Sequence, residues 1–322
     1  MPNQILSFEE IVNYVDTTSS DLIKDQKPQT LYDPINYFML KKGKKIRSLL
    51  ACLSYNLFGG DIKDIKKLLL AIEYLHDFTL IHDDVMDNAP LRRGQIAINK
   101  KWSNNQAILS GDALLMSAYN HLLNFQKFNI QLLKQFTHTG LQICEGQQLD
   151  LDMQIEKTIT LDSYFKMIDL KTGSLIKFSL VAAAKLTKLG SLKIKILENI
   201  GSSLGRLFQI QDDYLDLYGL EFKTGKSVGG DVFENKKTFL YLSALDVCED
   251  KKKLIDLYHS NDKNKLSKTQ CLYYNLGVKK ITENKIKELS SSILELTSKL
   301  NLSSDQKALF VDFINMISIR KR

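Results

Sequence analysis

The chain has 322 residues, 44% hydrophobic and 25% charged, which excludes an intrinsically disordered chain and a collagen-like fibre. Its formal net charge of +7 allows either a nucleic-acid partner or an acidic small-molecule substrate. We expect no nucleic-acid partner, because the densest basic cluster, residues 41–47, runs into an apolar segment and has no interleaved aromatic side chains.

Helices dominate the predicted secondary structure. All four prolines lie within the first 90 residues, and turn dipeptides such as Asn-Gly are nearly absent. The sequence therefore predicts an all-α fold with very little sheet. Apolar residues recur at helical spacing in about a dozen segments, which in chain order are 8–23, 35–58, 62–86, 104–125, 130–149, 161–184, 192–217, 238–247, 251–258, 263–276, 282–300 and 304–319.

The sequence contains no obvious boundary between domains. It has no Pro-, Gly- or Ser-rich linker, low-complexity run or internal repeat. We therefore expect a single domain over residues 1–322. Residues 175–186 and 203–218 are apolar around most of the helix circumference, which is typical of central helices wrapped by others. Polar groups on such helices need a functional reason.

The sequence shows no signal for export or membrane insertion. No segment approaches the roughly 18 consecutive apolar residues of a spanning helix, and the first ten residues lack the basic-then-apolar pattern of a signal peptide. The cysteines Cys52, Cys144, Cys248 and Cys271 have no paired metal-ligand spacing. We therefore expect a cytoplasmic protein with reduced thiols and no stable membrane insertion.

Two aspartate clusters share the pattern D-D-x-x-D. In each, the first and last carboxylates lie about 40° apart on one helical face, where like charges repel. Solvated acidic helix ends would explain one cluster, but not a matched pair. Carboxylate oxygens are the ligands that Mg²⁺ prefers, usually together with substrate phosphates. The pair therefore predicts Mg²⁺ sites for a diphosphate or triphosphate ester. The clusters are Asp83, Asp84 and Asp87, and Asp212, Asp213 and Asp216.

Cationic side chains accompany both clusters, as a polyanionic substrate requires. Any one of them could be an ordinary surface residue, but two separate groupings predict two diphosphates. The cationic side chains around the first cluster are Lys44 and Arg47 before it and Arg92 and Arg93 after it, and those that follow the second cluster are Lys226 and Lys236.

Together these motifs resemble the trans-isoprenyl diphosphate synthase family, the polyprenyl synthetases that act as head-to-tail prenyltransferases. Residues 31–47 are similar to the family's basic substrate region, 82–94 to its first aspartate-rich motif and 208–216 to its second. The resemblance covers nearly the whole chain. It implies one type I isoprenoid synthase helical bundle, with central helices around a large active-site cavity. Further matching segments follow in the family's order, at 107–115, 145–151, 171–175 and 225–238.

The resemblance also implies roles for individual residues and a homodimer. The six aspartates would ligate three Mg²⁺ ions, with Asp216 the most peripheral. The residues that match isopentenyl diphosphate ligands are Lys44, Arg47, His76 and Arg93. Those that match allylic diphosphate ligands are Arg92, Lys171, Lys226 and Lys236. Those that match polar groups beside the allylic cation are Lys171, Thr172 and Gln209.

Without the family, some of these assignments stay open. His76 lies seven residues before Asp83 and about 20° from the same helical face, so it could line a cavity with the carboxylates. A lone histidine in an apolar helix is more often a core residue. Lys171 and Thr172 interrupt a long apolar helix, and a helix kink or an exposed face would explain them equally well.

The implied reaction joins an allylic diphosphate to isopentenyl diphosphate. Ionisation gives an allylic cation, with Mg²⁺ and basic side chains stabilising the departing pyrophosphate. The double bond of isopentenyl diphosphate attacks this cation, and proton loss gives an allylic product one isoprene unit longer. No side-chain base stands out, and the resemblance implies that the released pyrophosphate takes the proton. An apolar helical bundle would exclude water.

Four residues depart from the family pattern. Lys45 and Ser48 replace the usual Arg and Pro of the basic region, Asn99 stands where a His often follows R-R-G, and Asn235 replaces a Gly before Lys236. None of these changes removes a predicted metal ligand or diphosphate ligand, so activity is expected.

The residues before the first cluster help to set product length in this family. Phe78 and Thr79 lie five and four residues before Asp83. A single aromatic at the fifth position, without an insertion in the motif, resembles geranylgeranyl (C20) synthases. We expect C20, with farnesyl (C15) as the alternative. Leu75 is a further candidate for the cavity floor because it lies closer than Phe78 to the aspartate face, and Phe78 could instead be an ordinary core residue.

Other classes fit less well. A longer-chain synthase more often has Ala at the position of Phe78. A class I terpene cyclase usually has an N-S-E type second metal motif, and a noncatalytic partner subunit commonly loses one aspartate cluster. A nucleic-acid-binding protein would leave both clusters unexplained.

Overall fold

The computed structural model of the protein describes residues 5–18, 23, 26–41, 43–156, 158–219 and 228–318. Helices make up almost all of its regular structure, which confirms the all-α prediction. They are α1 (Phe8–Thr18), α2 (Gln29–Leu40), α3 (Ile46–Leu57), a 3₁₀ turn (Ile62–Ile65), α4 (Lys66–Met86), α5 (Ile98–Lys101), α6 (Asn104–Leu123), α7 (Ile130–Ile155), α8 (Leu161–Ile168), a π-helical turn (Asp169–Gly173), α9 (Ser174–Lys185), α10 (Ser191–Tyr218), α11 (Gly230–Phe233), α12 (Phe239–Val247), α13 (Lys251–Tyr258), α14 (Lys265–Asn275), α15 (Val278–Ser298) and α16 (Ser304–Ser318). A short antiparallel hairpin pairs β1 (Leu91–Arg92) with β2 (Gln95–Ile96).

The chain divides into two compact units, of which the first comprises residues 1–140, 175–198 and 302–310. Within this unit α4 packs along α6, and α3 packs on α4. Leu69 and Ile72 of α4 and Leu114 and Ala118 of α6 are completely buried. Each buried leucine or isoleucine contributes about 1.5–3 kcal/mol of transfer free energy, so this apolar contact fixes the position of α4.

The second unit comprises residues 141–174, 199–301 and 311–322. Leu204, Leu207 and Ile210 of α10 and Phe313 of α16 are buried in it. Helix α12 packs against α8 and α15. Thr238 caps α12 by accepting a hydrogen bond from the backbone N–H of Tyr241.

One predicted helix is wrong. The segment 35–58 forms two helices, α2 and α3, because the chain turns between Leu40 and Ile46. Lys45 adopts a left-handed conformation with φ of 48°. At Gly43, an added Cβ would lie 3.0 Å from the Arg93 guanidinium. Residues 43–45 of the basic segment therefore form a loop that gives room to an arginine, a feature that helical periodicity does not report.

Other boundaries also shift. Helix α1 ends at Thr18, whereas the prediction extended to residue 23, and residues 19–22 lie outside the described ranges. The segment 161–184 is continuous but contains the π-helical turn, while α5, α11 and the hairpin were not predicted. The four cysteines are free thiols. Among the described residues, no helix is long and apolar enough to cross a membrane.

Candidate active site

Helix α4 carries the first aspartate cluster at its carboxyl end. The helix contains neither glycine nor proline, and it ends where the backbone N–H of Asp87 donates to the carbonyls of Asp83 and Val85. Pro90 follows three residues later. The carbonyl dipoles at this end of a helix disfavour negative charge, so three carboxylates here need compensation by cations.

Arg92 supplies part of that compensation. Its Nε and Nη2 donate to Asp84 Oδ1 at 2.8 and 2.5 Å, and Nη2 lies 3.8 Å from Asp83 Oδ2. The β1–β2 hairpin places Arg92 beside the helix end. Asn99, one of the departures from the family pattern, donates from its side chain to the Asp84 carbonyl at 3.0 Å. Burial raises the pKa of the Asp84 carboxyl, while the Arg92 hydrogen bond opposes that rise.

Arg93 is held on another side of α4. Its guanidinium donates to Asp77 Oδ1 at 3.2 Å and to the Lys41 carbonyl at 3.1 Å, and it stacks over the Phe38 ring at 4.9 Å. Asp77 is buried, and burial raises the pKa of its carboxyl, against the lowering effect of Lys45 and Arg93. The two consecutive arginines therefore have different partners.

His76 receives a hydrogen bond from Arg47. The Arg47 Nη1 lies 3.0 Å from His76 Nε2. Burial, reinforced by Arg47 and Arg93, holds the pKa of His76 well below its usual range. The imidazole is therefore neutral near pH 7, and Nε2 can accept from the guanidinium. Of the predicted isopentenyl diphosphate ligands, the remaining one, Lys44, is exposed.

Two departures from the family pattern meet at Glu73, one turn before His76. The backbone N–H and hydroxyl of Ser48 donate to Glu73 Oε1 at 3.2 and 2.6 Å, and Lys45 Nζ lies 3.2 Å from Oε2. The buried carboxylate is thus paired and hydrogen-bonded, which such a group requires. Lys45 and Ser48 therefore anchor the start of α3 to α4.

The second cluster lies near the end of α10 in a different environment. Asp213 is buried, and it accepts hydrogen bonds from the Tyr164 hydroxyl (2.6 Å), the Phe239 N–H (2.9 Å) and the Gln209 amide (3.0 Å). Burial, with a contribution from Asp231, raises the pKa of Asp213 to about 7. The Tyr164 contact had no signal in the sequence, because 49 residues separate the two partners.

The outer carboxylates of this cluster are more accessible. Asp212 is exposed, and Asp216 is partly exposed. The backbone N–H of Asp231 donates to Asp216 Oδ2 at 3.1 Å, and that of Gly229 donates to the Asp216 carbonyl at 2.7 Å. Residues 229–231 are thus fixed to α10 through Asp216.

The π-helical turn brings together three predicted site residues. Thr172 donates to Gln209 Oε1 at 3.0 Å, and Gln209 in turn donates to Asp213. Lys171 Nζ lies 2.7 Å from Asp150 Oδ2. A hydrogen-bonded chain therefore joins the turn to the second cluster.

The two other predicted allylic diphosphate ligands of this unit follow α10. Lys226 lies outside the described residues. Lys236 Nζ lies 2.9 Å from Glu234 and 4.0 Å from Asp231, and its carbonyl accepts from Tyr258 at 2.6 Å.

The predicted floor residues occupy different positions on α4. Leu75 is buried, whereas Phe78 and Thr79 are partly exposed. The Phe78 ring packs edge-on against His82 at 4.7 Å, and the Thr79 hydroxyl donates to the His76 carbonyl at 2.7 Å. Sequence reasoning missed His82, whose Nε2 lies 3.0 Å from the Ile108 carbonyl on α6.

The donor chemistry of both clusters suits a hard divalent cation. Among the residues that the structure describes, no group of three His, Cys, Asp or Glu side chains is already arranged to hold a metal. Carboxylate oxygens still fit Mg²⁺, because Mg²⁺ commonly uses one or two carboxylates and completes its shell with water and substrate phosphates.

Comparisons with known proteins give the family. A sequence model of the polyprenyl synthetase family matches residues 28–275. A short chain isoprenyl diphosphate synthase of Methanothermobacter thermautotrophicus is 36% identical over 244 residues, 74% of this chain and 75% of that protein. A farnesyl diphosphate synthase of Micrococcus luteus is 35% identical over 223 residues, 67% of this chain and 76% of that protein. A crystal structure of a geranylgeranyl pyrophosphate synthase matches with a TM-score of 0.91 and 32% identity, covering 98% of this chain and all of that one. The chain therefore belongs to the polyprenyl synthetase family and is a prenyltransferase.

Proposed function

We propose that the protein condenses isopentenyl diphosphate with allylic diphosphates, head to tail, to form (E)-geranylgeranyl diphosphate. The proposal rests on the order of groups along α4. His76, bound to Arg47, comes first, Phe78 follows, and the carboxylate cluster paired with Arg92 ends the helix. Helix α4 thus holds the Arg47 guanidinium of α3 through His76 and, about 10 Å further along its axis, carries a cluster of carboxylates suited to a metal.

The isopentenyl diphosphate is bound by Lys44, Arg47, His76 and Arg93. The support is that Arg47 and Arg93 are already fixed, by His76 and by Asp77 respectively. Preorganised guanidinium groups lose little side-chain entropy when they bind an anion. The neutral His76 can contribute a hydrogen bond without adding charge.

The allylic diphosphate is bound by Arg92, Lys171, Lys226 and Lys236, whose positive charges stabilise the negative charge that develops on the departing pyrophosphate. Thr172 and Gln209 lie beside the allylic cation as it forms. The hydrogen bonds from Thr172 to Gln209 and from Gln209 to Asp213 support this role, because they fix both side chains. The released pyrophosphate accepts the proton lost from the coupled product.

Family members depend on a divalent metal, and we propose three Mg²⁺ ions with ligands from both clusters. When bound, the metal neutralises charge on the departing pyrophosphate. Exposed Asp212 and partly exposed Asp83 and Asp87 are accessible to it. Asp84 and Asp213 are buried and already hydrogen-bonded, so they also orient their clusters.

The C20 length follows from Phe78 as the cavity floor. Its ring is supported by His82, which contacts α6, so the aromatic cannot easily swing aside. Thr79 and Leu75 are the neighbouring floor residues. A farnesyl product is the alternative if the floor lies nearer to the carboxylates.

We also propose a homodimer formed through α6, with residues 1–322 of each chain acting as one cytoplasmic polyprenyl synthetase domain. Leu109, Met116 and Leu123 lie seven residues apart on α6 and are 57%, 61% and 54% exposed. Such a spacing places all three on one face, and large apolar side chains on one face are typical of an interface. Met116→Lys should convert the dimer to monomer in analytical ultracentrifugation.

Mass spectrometry of the products tests the main proposal. Purified protein is incubated with Mg²⁺, isopentenyl diphosphate and each of the C5, C10 and C15 allylic diphosphates. A dominant C20 product supports the coupling reaction and the Phe78 floor, and a C15 product moves the floor to Thr79 or a neighbouring helix. A C30 or longer product overturns the length assignment, and no elongation with any primer overturns the proposed function.

A further inference from the structure

The π-helical turn Asp169–Gly173 contains Lys171 and Thr172 and interrupts an otherwise continuous helix from α8 to α9. A π-helical turn holds one more residue than an α-helical turn and is intrinsically less stable. It persists when neighbouring elements fit its shape. Two such neighbours, α7 and α10, present a glycine to this turn.

The contact with α7 occurs at Gly146. A Cβ atom added there would lie 2.2 Å from the backbone nitrogen of Lys171 and 2.6 Å from its Cα. Both are backbone atoms, so no side-chain rotation could relieve the overlap. Helix α7 can therefore approach the turn this closely only with glycine at position 146.

The contact with α10 is similar. A Cβ atom added at Gly205 would lie 2.5 Å from the Cα of Gly173. The turn is thus confined by close backbone packing at Lys171 and at Gly173. This packing fixes the direction in which the Lys171 side chain leaves the backbone.

A second residue of α7 fixes the end of that side chain. Asp150 lies four residues after Gly146, on the same helical face, and its Oδ2 lies 2.7 Å from Lys171 Nζ. Lys171 and Asp150 are both largely buried, with 24% and 19% of their side chains exposed. Helix α7 therefore contacts Lys171 at its backbone and at its ammonium group.

We infer that Gly146 and Asp150 are positioning residues for Lys171, Gly146 setting its backbone and Asp150 setting its ammonium group toward the allylic diphosphate. The inference rests on the proposed function of Lys171. Neither residue contacts the substrate in this role. Both act by holding a cation where negative charge develops on the leaving group.

Gly146→Ala tests the backbone contact, and Gly140→Ala is the matched control on the same helix, where an added Cβ would meet nothing within 4 Å. A displacement near 1 Å can reduce turnover about 100-fold. We expect a loss of about that size in kcat for Gly146→Ala and less than about twofold for Gly140→Ala. Equal kcat values for the two variants would overturn the inference.

A double-mutant cycle shows whether the effect acts through Lys171. In a Lys171→Ala background, Gly146→Ala should cause little further loss of kcat, because the group that it displaces is gone. Fully additive losses would contradict the inference. For the second contact, Asp150→Ala should lower kcat more than Asp150→Asn, which keeps a hydrogen-bond acceptor. Equal effects on kcat would exclude orientation through this hydrogen bond.

Two readouts do not depend on turnover. Amide hydrogen exchange of residues 169–173 should be faster in Gly146→Ala than in Gly140→Ala, and calorimetry with Mg²⁺ and inorganic pyrophosphate should show weaker binding, by about tenfold. If wild-type protein binds pyrophosphate but elongates no primer, the proposed function fails while these two readouts still test the positioning. If Gly146→Ala does not fold, the Asp150 variants decide the inference by the same pyrophosphate titration.

Discussion

Helices α4 and α10 end in the same D-D-x-x-D pattern, yet the two clusters have different hydrogen-bond partners. In both, the middle aspartate is buried. On α4 that aspartate, Asp84, is bound by the guanidinium of Arg92. On α10 its counterpart, Asp213, is bound by the neutral donors of Tyr164, Gln209 and Phe239. An identical motif therefore gives one charge-compensated cluster and one cluster held by neutral hydrogen bonds.

The two helices also differ about two turns before each cluster. Seven residues before each cluster, α4 has His76, which binds Arg47, whereas α10 has Gly205, which packs against the π-helical turn. At this position α4 thus binds a charged side chain, while α10 provides close backbone packing. Substitutions at equivalent positions should therefore have different consequences.

The largest effect is expected where the two helices are alike. Asp83→Ala and Asp212→Ala should each reduce turnover by several orders of magnitude. Each removes an accessible carboxylate from a proposed metal site, and the metal lowers the free energy of the charged transition state by several kcal/mol. Steady-state elongation with Mg²⁺ measures this. Exposed Asp256 provides the control, Asp256→Ala. Near-normal turnover of either cluster variant would contradict its assignment as a metal ligand.

The next prediction concerns the groups that hold the middle aspartates. Arg92→Gln should reduce kcat about 10²–10³-fold, since it removes a charged donor from the first cluster. Tyr164→Phe should cost about tenfold, because Asp213 keeps two further donors. Steady-state elongation with Mg²⁺ measures both losses. Lys127→Gln, which removes a surface ion pair with Asp64, is the control. Equal losses in the two variants would remove the distinction between the clusters.

A third test compares the residues five positions before each cluster. Phe78→Ala should lengthen the product by one or more isoprene units, with modest change in kcat, because it removes the proposed floor. Leu207, its counterpart on α10, is completely buried. Leu207→Ala should instead reduce the free energy of unfolding by about 2–5 kcal/mol without lengthening the product. Product mass spectrometry and urea unfolding distinguish the two outcomes. An unchanged product from Phe78→Ala would place the floor elsewhere.

The smallest effect is a pH dependence of stability that arises from His76. Its pKa is depressed in the folded protein, so the unfolded chain takes up a proton first as pH falls. The contribution is fully present above about pH 6.5 and is lost as the pH falls through the folded pKa. The decrease in the free energy of unfolding between pH 7.5 and 5.5, measured by urea unfolding, should be smaller by about 1 kcal/mol in His76→Gln than in wild type. Exposed His138 supplies the control, His138→Gln. The same slope in wild type and His76→Gln would show that other groups dominate.

The sequence predicted the helices that carry both clusters because apolar periodicity is strong in them. Predicted segments 62–86 and 192–217 correspond closely to α4 and α10, apart from the 3₁₀ turn before α4. The prediction failed at 35–58, where the left-handed Lys45 and the close approach of Arg93 to Gly43 create a loop. That approach depends on a residue 50 positions later, so helical periodicity could not reveal it.

The sequence by itself determined the all-α class, the family resemblance and the repeated carboxylate pattern, because helical spacing and motif chemistry are local properties of the chain. The tertiary structure alone decided that Arg92 binds Asp84, that Tyr164 binds Asp213 and that Gly146 fits the π-helical turn. These contacts depend on which segments the buried apolar surfaces bring together. The fold, rather than the motif, therefore gives two equal sequence patterns unequal environments.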